Sequence, residues 1–170
     1  SGVRPGKIVV LGAGVVGTNA ARVALGLGME TVVINRDPAG LQRIDGQFMG
    51  RVRTLHLSAH AIEEEIRDAA VVIGAILVPG GRTPLLISRD MLKTMKRGSV
   101  IVDVSVDQGG CVETSRPTSH DDPVFEVDGV IHYCVANMPG AVARTSAIAL
   151  AGATLLDGNG GPPVPDAVVV

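Results

Sequence analysis

A short apolar stretch that runs directly into three regularly spaced glycines constrains this chain more than any other feature. Residues 7–11 (Lys-Ile-Val-Val-Leu) lead into Gly12, Gly14 and Gly17, and an alanine-rich stretch typical of a helix follows. The first glycine permits a tight turn, the second lets the backbone approach a pyrophosphate, and the third lets the helix pack closely on its strand. The free N–H groups at the start of that helix would face the phosphates. The pattern predicts a dinucleotide site, with a plain strand-to-helix turn as the alternative.

Short apolar runs alternate along the chain with stretches of helical pattern. Six strands are predicted, at Lys7–Leu11, Thr31–Ile34, Arg51–Leu55, Ala70–Gly74, Ser99–Val104 and Val130–Cys134. Four helices are predicted, near Val15–Gly28, Pro38–Gln47, Ala59–Asp68 and Ser88–Lys96. The strands lack polar alternation, as strands buried on both faces do. The repeat predicts an α/β fold with a doubly wound, mainly parallel, Rossmann-like sheet and ligands at the carboxyl ends of its strands.

The length of 170 residues favours a single domain. We expect a dinucleotide-binding Rossmann domain over residues 1–156 and a flexible Gly/Pro-rich C-terminal tail over residues 157–170. The polar stretch Gln108–Asp128 is predicted to be a long loop, and such loops in compact domains are often functional. The acidic run Glu63–Glu65 is predicted to be a solvated helix face.

The composition bears on whether the protein binds nucleic acid, spans a membrane or forms disulfides. The net charge is −2 and no basic block is present, which argues against a nucleic-acid binder. The longest apolar stretch, Ala141–Leu156, is interrupted by Arg144 and falls short of a membrane span. Two cysteines, Cys111 and Cys134, without a signal peptide predict reduced thiols in a cytoplasmic protein.

The residues after the second predicted strand bear on the choice between NAD and NADP. In an NAD site this strand usually ends in an acidic residue that accepts hydrogen bonds from the adenosine ribose. Asn35 occupies that position here and carries no charge to repel a 2′-phosphate, while Arg36 would pair with one. Asp37 is an alternative ribose partner, and Arg36 is alternatively a solvated loop residue. The cofactor is therefore predicted as NAD or NADP, with tolerance of NADP.

Three longer strings carry more information than the glycine spacing. They are Gly74–Gly80 (GAILVPG), Val102–Glu113 (VDVSVDQGGCVE) and His132–Val142 (HYCVANMPGAV). Together they resemble the nucleotide-binding domain of alanine dehydrogenase, within the superfamily shared with nicotinamide nucleotide transhydrogenase. The resemblance covers about residues 5–155. It implies oxidation of L-alanine to pyruvate and ammonium, with hydride passed to a nicotinamide.

The resemblance also implies positions for the cofactor. The loop that holds the pyrophosphate consists of Gly12, Gly14, Val15, Val16 and Gly17. The nicotinamide end of the cleft is lined by Ala75, Ile76, Leu77 and Val78, and the nicotinamide with its ribose is closed over by Val135, Asn137 and Met138. Family members normally have an aspartate where Asn35 stands, so the resemblance does not imply strict preference for NAD.

Asp107 is the predicted catalytic residue. It follows the predicted strand Ser99–Val104 at its carboxyl end, and the neighbouring Gln-Gly-Gly permits close approach of backbone to ligand. By resemblance it matches the active-site carboxylate beside the substrate amine, which shares acid–base work with a histidine. A carboxylate there would stabilise a positive amine or iminium. Asp103, by contrast, is predicted to bond to backbone groups and to order the loop.

Other candidate residues point to structure rather than chemistry. His120 and His132 are not spaced with Asp or Cys as metal ligands are, so no metal site is expected. Cys111 is interpreted as a small packing residue, with a reactive thiol as the alternative. The small-residue helix predicted over Ala141–Ala153 offers a surface for self-association into a homo-oligomer.

The resemblance implies a partner for this domain. In alanine dehydrogenases a substrate domain supplies the arginine and lysine that grip the substrate, and the catalytic histidine, and no counterpart of it is found in this sequence. We therefore expect dinucleotide binding with negligible turnover of alanine, because positioning and charge stabilisation are divided between domains. Two alternatives stay open: a nucleotide-binding component of a transhydrogenase, and a non-catalytic module that senses nicotinamide nucleotide.

Overall fold

The chain divides into two compact units, Ser1–Ala136 and Asn137–Val170. The computed structural model describes Gly2 and residues 5–78, 80–142, 153–155 and 164–167. The first unit contains the whole of a seven-stranded sheet. This unit is the Rossmann-like α/β domain that the sequence predicts.

The sheet is parallel except at one edge. Its strands are β1 (Lys7–Leu11), β2 (Glu30–Asn35), β3 (Arg53–His56), β4 (Val71–Gly74), β5 (Val100–Asp103), β6 (Val124–Val127) and β7 (Val130–Tyr133). They lie in the order β3-β2-β1-β4-β5-β7-β6, and only β6 runs antiparallel to its neighbour in this sheet. The strand order reverses between β1 and β4, where open α/β sheets bind their ligands. The predicted mainly parallel, doubly wound topology is confirmed.

The helices cover both faces of this sheet. They are α1 (Val15–Gly26), α2 (Pro38–Phe48), α3 (Ala59–Ile66) and α4 (Arg89–Leu92). The prediction of a helix over Ser88–Lys96 is wrong in length, because after Leu92 the chain tightens into turns. There Met95 N donates to the carbonyl of Leu92, and the Thr94 hydroxyl donates to the carbonyl of Met91. These three-residue spacings do not continue an α-helix.

Side chains of the central strands alternate between two hydrophobic cores. In β1, Ile8 and Val10 pack with the buried faces of α1 and α2, whereas Val9 and Leu11 pack with α3 and α4. All five residues of this strand are buried. The uniform apolarity of the strand thus follows from burial on both faces. It places the end of β1 in the middle of the sheet's carboxyl edge.

The predicted loop Gln108–Asp128 is wrong in its second half. Residues Val124–Val127 form the edge strand β6, which pairs antiparallel with β7. Asp128 and Gly129 join the two strands with φ values of 52° and 86°. Asp-Gly in this left-handed geometry favours a two-residue hairpin turn. The irregular segment that remains is residues 109–123.

The second unit contains the rest of the described chain. A 3-10 turn spans Met138–Val142, and β8 (Ala153–Leu155) pairs antiparallel with β9 (Val164–Ala167). Most of the predicted helix Ala141–Ala153 lies outside the described residues. The boundary at residue 156 and the flexibility of the tail stay predictions, although β9 falls within that tail. Within the described part of the chain, no helix is long and apolar enough to cross a membrane.

An ion-pair network closes the amino edge of the sheet, opposite the strand ends where ligands are expected. The Lys7 ammonium lies 2.7 Å from the Glu65 carboxylate and 2.6 Å from that of Asp68. Glu65 also pairs with Arg53. Burial opposes the charged form of Lys7, yet hydrogen bonds from its ammonium to Asp68 and Glu65 raise its pKa overall. The same bond from Lys7 lowers the pKa of Asp68, so its stabilising effect is lost only as the pH falls through that lowered value.

The predicted solvated face Glu63–Glu65 is therefore wrong for its last member, because Glu65 is buried. Consecutive helix residues point about 100° apart, so three neighbouring glutamates cannot share one face. Of the three glutamates, Glu64 is exposed, Glu63 is half-buried and Glu65 is buried. Buried charges are expected to be paired, and Glu65 meets two cations.

Replacing Glu65 by glutamine tests this network. We expect Glu65→Gln to lower the free energy of unfolding by about 2–4 kcal/mol, because Lys7 would keep its charge in a buried place with one fewer partner. The matched control Glu64→Gln removes the same charge from the exposed face and should cost less than about 0.5 kcal/mol. Urea unfolding followed by circular dichroism measures both. Equal effects for the two variants would contradict the network's role.

Candidate functional site

The turn between β1 and α1 is built so tightly that two of its glycines admit no side chain. Gly12 has φ 113°, and a Cβ atom there would lie 2.5 Å from the Ala75 carbonyl oxygen. A Cβ atom on Gly17 would lie 2.0 Å from the Gly12 carbonyl oxygen. The backbone of this turn therefore touches both the loop after β4 and its own helix. These contacts are the tight turn and close helix packing predicted from the glycine spacing.

Gly14 differs from the other two because the space beside it is open. A Cβ atom there would have no atom within 4 Å, and the residue is exposed. Gly14 is the N-cap of α1, yet no side chain caps the helix and its first turn carries no acidic residue. The first N–H groups of α1 thus face an open space with the positive end of the helix dipole. This arrangement suits a phosphate group.

A cleft of about 420 Å³ opens over this turn at the carboxyl edge of the sheet. Its walls are Gly12, Ala13, Gly14, Val15, Val16, Asn35, Ala75, Ile76 and Leu77. Apart from Ala13, every one of these is a predicted cofactor residue. Val15 is 80% exposed and Leu77 is 74% exposed, so the mouth of the cleft presents apolar side chains to solvent. A cradle of free N–H groups beside apolar walls fits a dinucleotide.

Asn35 joins the glycine turn to the start of α2. Its side-chain oxygen accepts a hydrogen bond from the Ala13 N–H at 3.3 Å, and its amide nitrogen donates to the Asp37 carbonyl at 3.0 Å. The Asp37 carboxylate accepts from the N–H groups of Ala39 and Gly40, so it caps α2. This bonding weakens the alternative in which Asp37 serves the ribose. Asn35 remains the neutral residue that lines the cleft.

Arg36 is exposed beside this cleft. Within the described residues, its guanidinium makes no hydrogen bond or ion pair. The side chain is therefore available to an anion at the end of β2. A second hollow of about 480 Å³ adjoins the glycine turn, and it is lined by Ala13, Gly14, Val15, Thr18, Asn19, Arg22 and Arg43. Its two arginines, Arg22 on α1 and Arg43 on α2, were not predicted.

Two side chains of a 3-10 turn at Val104–Gln108 form hydrogen bonds to the backbone of the loop after β4. The Ser105 hydroxyl accepts from the Ile76 N–H at 3.1 Å and donates to the Ile76 carbonyl at 2.8 Å. The Gln108 amide oxygen accepts from the Val78 N–H at 3.1 Å, and its nitrogen donates to the Val78 carbonyl at 3.3 Å. These contacts were not predicted. Their only sequence signal is a pair of polar residues directly after a buried strand.

Asp107 lies on that same 3-10 turn, between the two side chains that hold the loop. It is exposed, and among the described residues its carboxylate has no hydrogen-bond or ion-pair partner. The turn follows β5 at its carboxyl end, the edge that also carries the cleft. The catalytic role of Asp107 stays a prediction, which the free carboxylate at this edge supports.

Asp103 is fully buried at the end of β5 and is bound on all sides. Its carboxylate accepts from the N–H groups of Ser105 and Cys111, each at 3.0 Å, and from the Ser115 hydroxyl at 2.6 Å. A carboxylate has about four acceptor sites, and neutral donors occupy three of those on Asp103. The prediction that Asp103 bonds to backbone and orders the loop is confirmed.

The surroundings of the two cysteines and of the buried histidine indicate structural roles for them. Cys111 and Cys134 are both buried thiols, and burial raises the pKa of each. This supports the packing interpretation of Cys111, since thiol reactivity requires the thiolate. Burial lowers the pKa of His132, whose ring nitrogens bond to the Val130 carbonyl at 3.0 Å and the Thr114 hydroxyl at 2.8 Å. In the described part of the chain, no group of acidic, cysteine and histidine side chains is arranged to hold a metal.

The last predicted cofactor residues follow β7. Val135 is buried and forms a parallel bridge with Thr118. Asn137 and Met138 belong to the second unit, where Asn137 has φ 55° and its carbonyl accepts from the Gly140 N–H at 2.9 Å. The roles of these three residues at the nicotinamide stay predictions, as does that of Val78.

Sequence comparison identifies relatives of this chain. A family model described as "Alanine dehydrogenase/PNT, C-terminal domain" matches residues 1–156. An alanine dehydrogenase of Halomonas elongata is 57% identical over 154 residues, which are 91% of this chain and 42% of that protein. An alanine dehydrogenase of Mycolicibacterium smegmatis is 51% identical with the same coverage. The chain thus spans about two-fifths of the length of the curated relatives it matches.

Solved structures resemble the fold as well as the sequence. An L-alanine dehydrogenase matches with a TM-score of 0.84 and 50% identity, covering 88% of this chain and 41% of that one. A transhydrogenase from Sinorhizobium meliloti matches with a TM-score of 0.75 and 32% identity, covering 86% and 41%. Both similarities thus cover more than four-fifths of this chain.

Alanine substitutions at three glycines of this region test the cradle. We expect Gly14→Ala to change the free energy of unfolding by less than about 1 kcal/mol, because its Cβ atom meets only open space. The same methyl group would fill the cradle and weaken NADH binding at least about tenfold. Gly17→Ala should cost about 3 kcal/mol or more, since its Cβ atom collides with backbone.

Gly26→Ala, at the far end of α1 where a Cβ atom also meets open space, is the control. It should leave NADH affinity unchanged and raise stability by up to about 1 kcal/mol. Thermal unfolding and fluorescence titration with NADH measure the four proteins. Unaltered NADH affinity in Gly14→Ala would place the pyrophosphate elsewhere.

Proposed function

The chain belongs to the family of alanine dehydrogenase and PNT C-terminal domains, and from this membership we propose that it is the NAD(P)-binding domain of an alanine dehydrogenase-like oxidoreductase. The observation that carries the proposal is the cleft at the β1–β4 switch point. Its open Gly14, uncapped α1 and apolar walls suit a dinucleotide. The identities of 57% and 50% to alanine dehydrogenases support this chemistry over that of the transhydrogenase neighbour at 32%.

The proposed reaction is the oxidation of L-alanine. The alanine Cα–H bond breaks as its hydride moves to the nicotinamide, and the amine loses a proton to form an iminium. Water adds to the iminium carbon, and release of ammonium leaves pyruvate. The bound cofactor supplies the hydride acceptor. A carboxylate close to the reacting nitrogen would stabilise the positive iminium and hold the attacking water.

Each group of this chain has a defined part in that scheme. The first N–H groups of α1 bind the pyrophosphate, and Gly14 leaves room for it. Ile76 and Leu77 form an apolar wall that excludes water from the hydride path. Asp107 provides the carboxylate, since it is exposed at the carboxyl edge and its charge is not neutralised by a described neighbour.

Substrate binding is assigned to groups beyond this chain. Within the proposal, a substrate domain or a partner chain supplies the cations that grip the alanine carboxylate and the catalytic histidine. The support is that the chain covers only 42% of its relatives. Asp107 alone cannot orient alanine for hydride transfer, because catalysis of this kind depends on several groups held in register.

The proposed cofactor is NAD, with tolerance of NADP. A neutral Asn35 does not repel a 2′-phosphate, and the guanidinium of Arg36 is unengaged at the end of β2. Arginine binds phosphate strongly because its planar fork donates two parallel hydrogen bonds. The proposal further includes a cytoplasmic location, supported by the buried thiols of Cys111 and Cys134, and association with further copies.

The alternatives make different predictions for the same purified chain. A transhydrogenase component would exchange hydride between NADH and an NADP analogue when its partner is present. A sensing module would bind nicotinamide nucleotide and support neither reaction. Alanine-dependent turnover after addition of a substrate domain distinguishes the proposed function from both.

The Arg36→Ala variant tests cofactor choice. We expect NADPH affinity to fall about tenfold, because one charge-assisted contact to the 2′-phosphate is lost, while NADH affinity stays within about twofold. Parallel titrations by cofactor fluorescence suit a protein without tryptophan. Arg67→Ala is the matched control, because it removes the same charge from an exposed pair with Glu63 on α3. Equal loss for both cofactors would mean that Arg36 does not read the phosphate.

Turnover by the isolated chain is the second test. With L-alanine and NAD or NADP, we expect no formation of reduced cofactor above background, because the proposal assigns the groups that position alanine to a substrate domain or partner chain. Absorbance at the reduced nicotinamide band measures it, after fluorescence titration has shown that the sample binds cofactor. Robust alanine-dependent reduction by the chain alone would contradict the proposed division between domains.

A further inference from the structure

The predicted catalytic residue Asp107 lies on a short turn that also holds the loop after β4. Asp107 occupies the fourth position of the turn Val104–Gln108. Residues on each side of it bind the loop after β4: Ser105 holds Ile76, and Gln108 holds Val78. A movement of this loop would therefore be transmitted to the backbone that carries Asp107.

We propose that Gln108 is a positioning residue, which sets the place of the Asp107 carboxylate relative to the nicotinamide by bonding to the loop after β4. The proposal rests on the proposed function. Gln108 does not touch the reacting atoms itself. It acts through Asp107 on one side and through the backbone of Val78 on the other.

Among the described residues, nothing anchors the Asp107 side chain directly. Its carboxylate makes no hydrogen bond within the described residues, so its position depends on the backbone of the turn. On the amino side that backbone is fixed by buried Asp103 and Ser105. On the carboxyl side, Gly109 has φ 97°, a conformation that L side chains rarely adopt.

Gln108 ties this carboxyl side of the turn to the loop after β4, which the backbone bonds of Gly109 and Gly110 within the turn do not do. Its amide oxygen and nitrogen both bond to Val78, one to the N–H and one to the carbonyl. Its own carbonyl accepts from the Thr83 N–H at 3.0 Å, so the residue is tied to the loop at two places. A primary amide supplies the donor from its nitrogen and the acceptor from its oxygen, whereas a methionine thioether has no donor. A hydrophobic residue of the same length would pack there but would not hold the loop.

A charge difference between the two redox forms of the cofactor makes this positioning measurable without turnover. The oxidised nicotinamide ring carries a positive charge, and the reduced ring does not. A carboxylate close to the ring therefore favours NAD⁺ over NADH, by an amount that falls as the distance grows. The ratio of the two dissociation constants, NADH over NAD⁺, reports the place of Asp107. A purely structural defect weakens both forms equally and leaves that ratio unchanged.

The experiment measures this ratio for the complete 170-residue chain by calorimetric titration. We expect Asp107→Asn to lower the ratio about threefold to tenfold. Gln108→Met should lower it at least about twofold in the native background and leave it unchanged in the Asp107→Asn background. Gln47→Met, an exposed glutamine on α2, is the matched control and should change nothing. If Gln108→Met does not fold, Gln108→Asn replaces it, because it keeps the amide but is one methylene too short.

Amide hydrogen exchange gives a second measurement that needs no cofactor. The Val78 N–H has Gln108 as its acceptor, so we expect its exchange to become at least about tenfold faster in Gln108→Met, while that of Val9 in β1 is unchanged. Unaltered exchange at Val78 would overturn the proposal. An unaltered redox ratio in a variant that still binds both cofactors would also overturn it. A native chain that binds neither cofactor would instead refute the proposed function, and this inference with it.

Discussion

The fit between the β1–α1 turn and the loop after β4 is the constraint on which the rest of this site depends. The Gly12 backbone approaches the Ala75 carbonyl so closely that no Cβ atom fits between them. This approach is possible because β1 and β4 are hydrogen-bonded neighbours, with Leu11 in register with Gly74. Their two loops leave the sheet side by side and form the floor and one wall of the cleft. A ligand there meets free helix N–H groups on one side and apolar side chains on the other.

The carboxyl edge also separates two aspartates that differ by four positions. Asp103 is buried, and neutral donors from its own loop occupy its oxygens, so it holds the chain after β5 in shape. Asp107 lies on the turn that this bonding organises, and its exposed carboxylate has no partner among the described residues. A fully bonded acid thus supports the turn that carries a second, exposed acid. The division of roles follows from burial and from the supply of hydrogen-bond donors.

The sequence predicted the features that local chemistry determines. The glycine spacing indicated where Cβ atoms collide, and unbroken apolar runs indicated strands buried on both faces, as β1 confirms. The edge strand β6 was missed, although Asp128-Gly129 before an apolar run is a hairpin signal. The prediction that Glu65 is exposed was wrong because the two cations that pair with it lie on strands distant in sequence. Ser105 and Gln108 were missed for the same reason, since side-chain bonds to a remote loop leave no periodic pattern.

The position of bound nucleotide can be mapped on the backbone amides. In an NMR titration of the ¹⁵N-labelled chain with NAD⁺, we expect the amide signals of Gly14, Val15, Val16 and Ile76 to shift first and most strongly. Signals at the opposite edge of the sheet, around Lys7, Ala70 and Ser99, should stay in place. That edge carries a hollow of about 540 Å³ whose lining includes Lys7, Lys96 and Arg97, so it is an alternative place for an anionic ligand to bind. Shifts confined to it would contradict a dinucleotide site at the β1–β4 switch point.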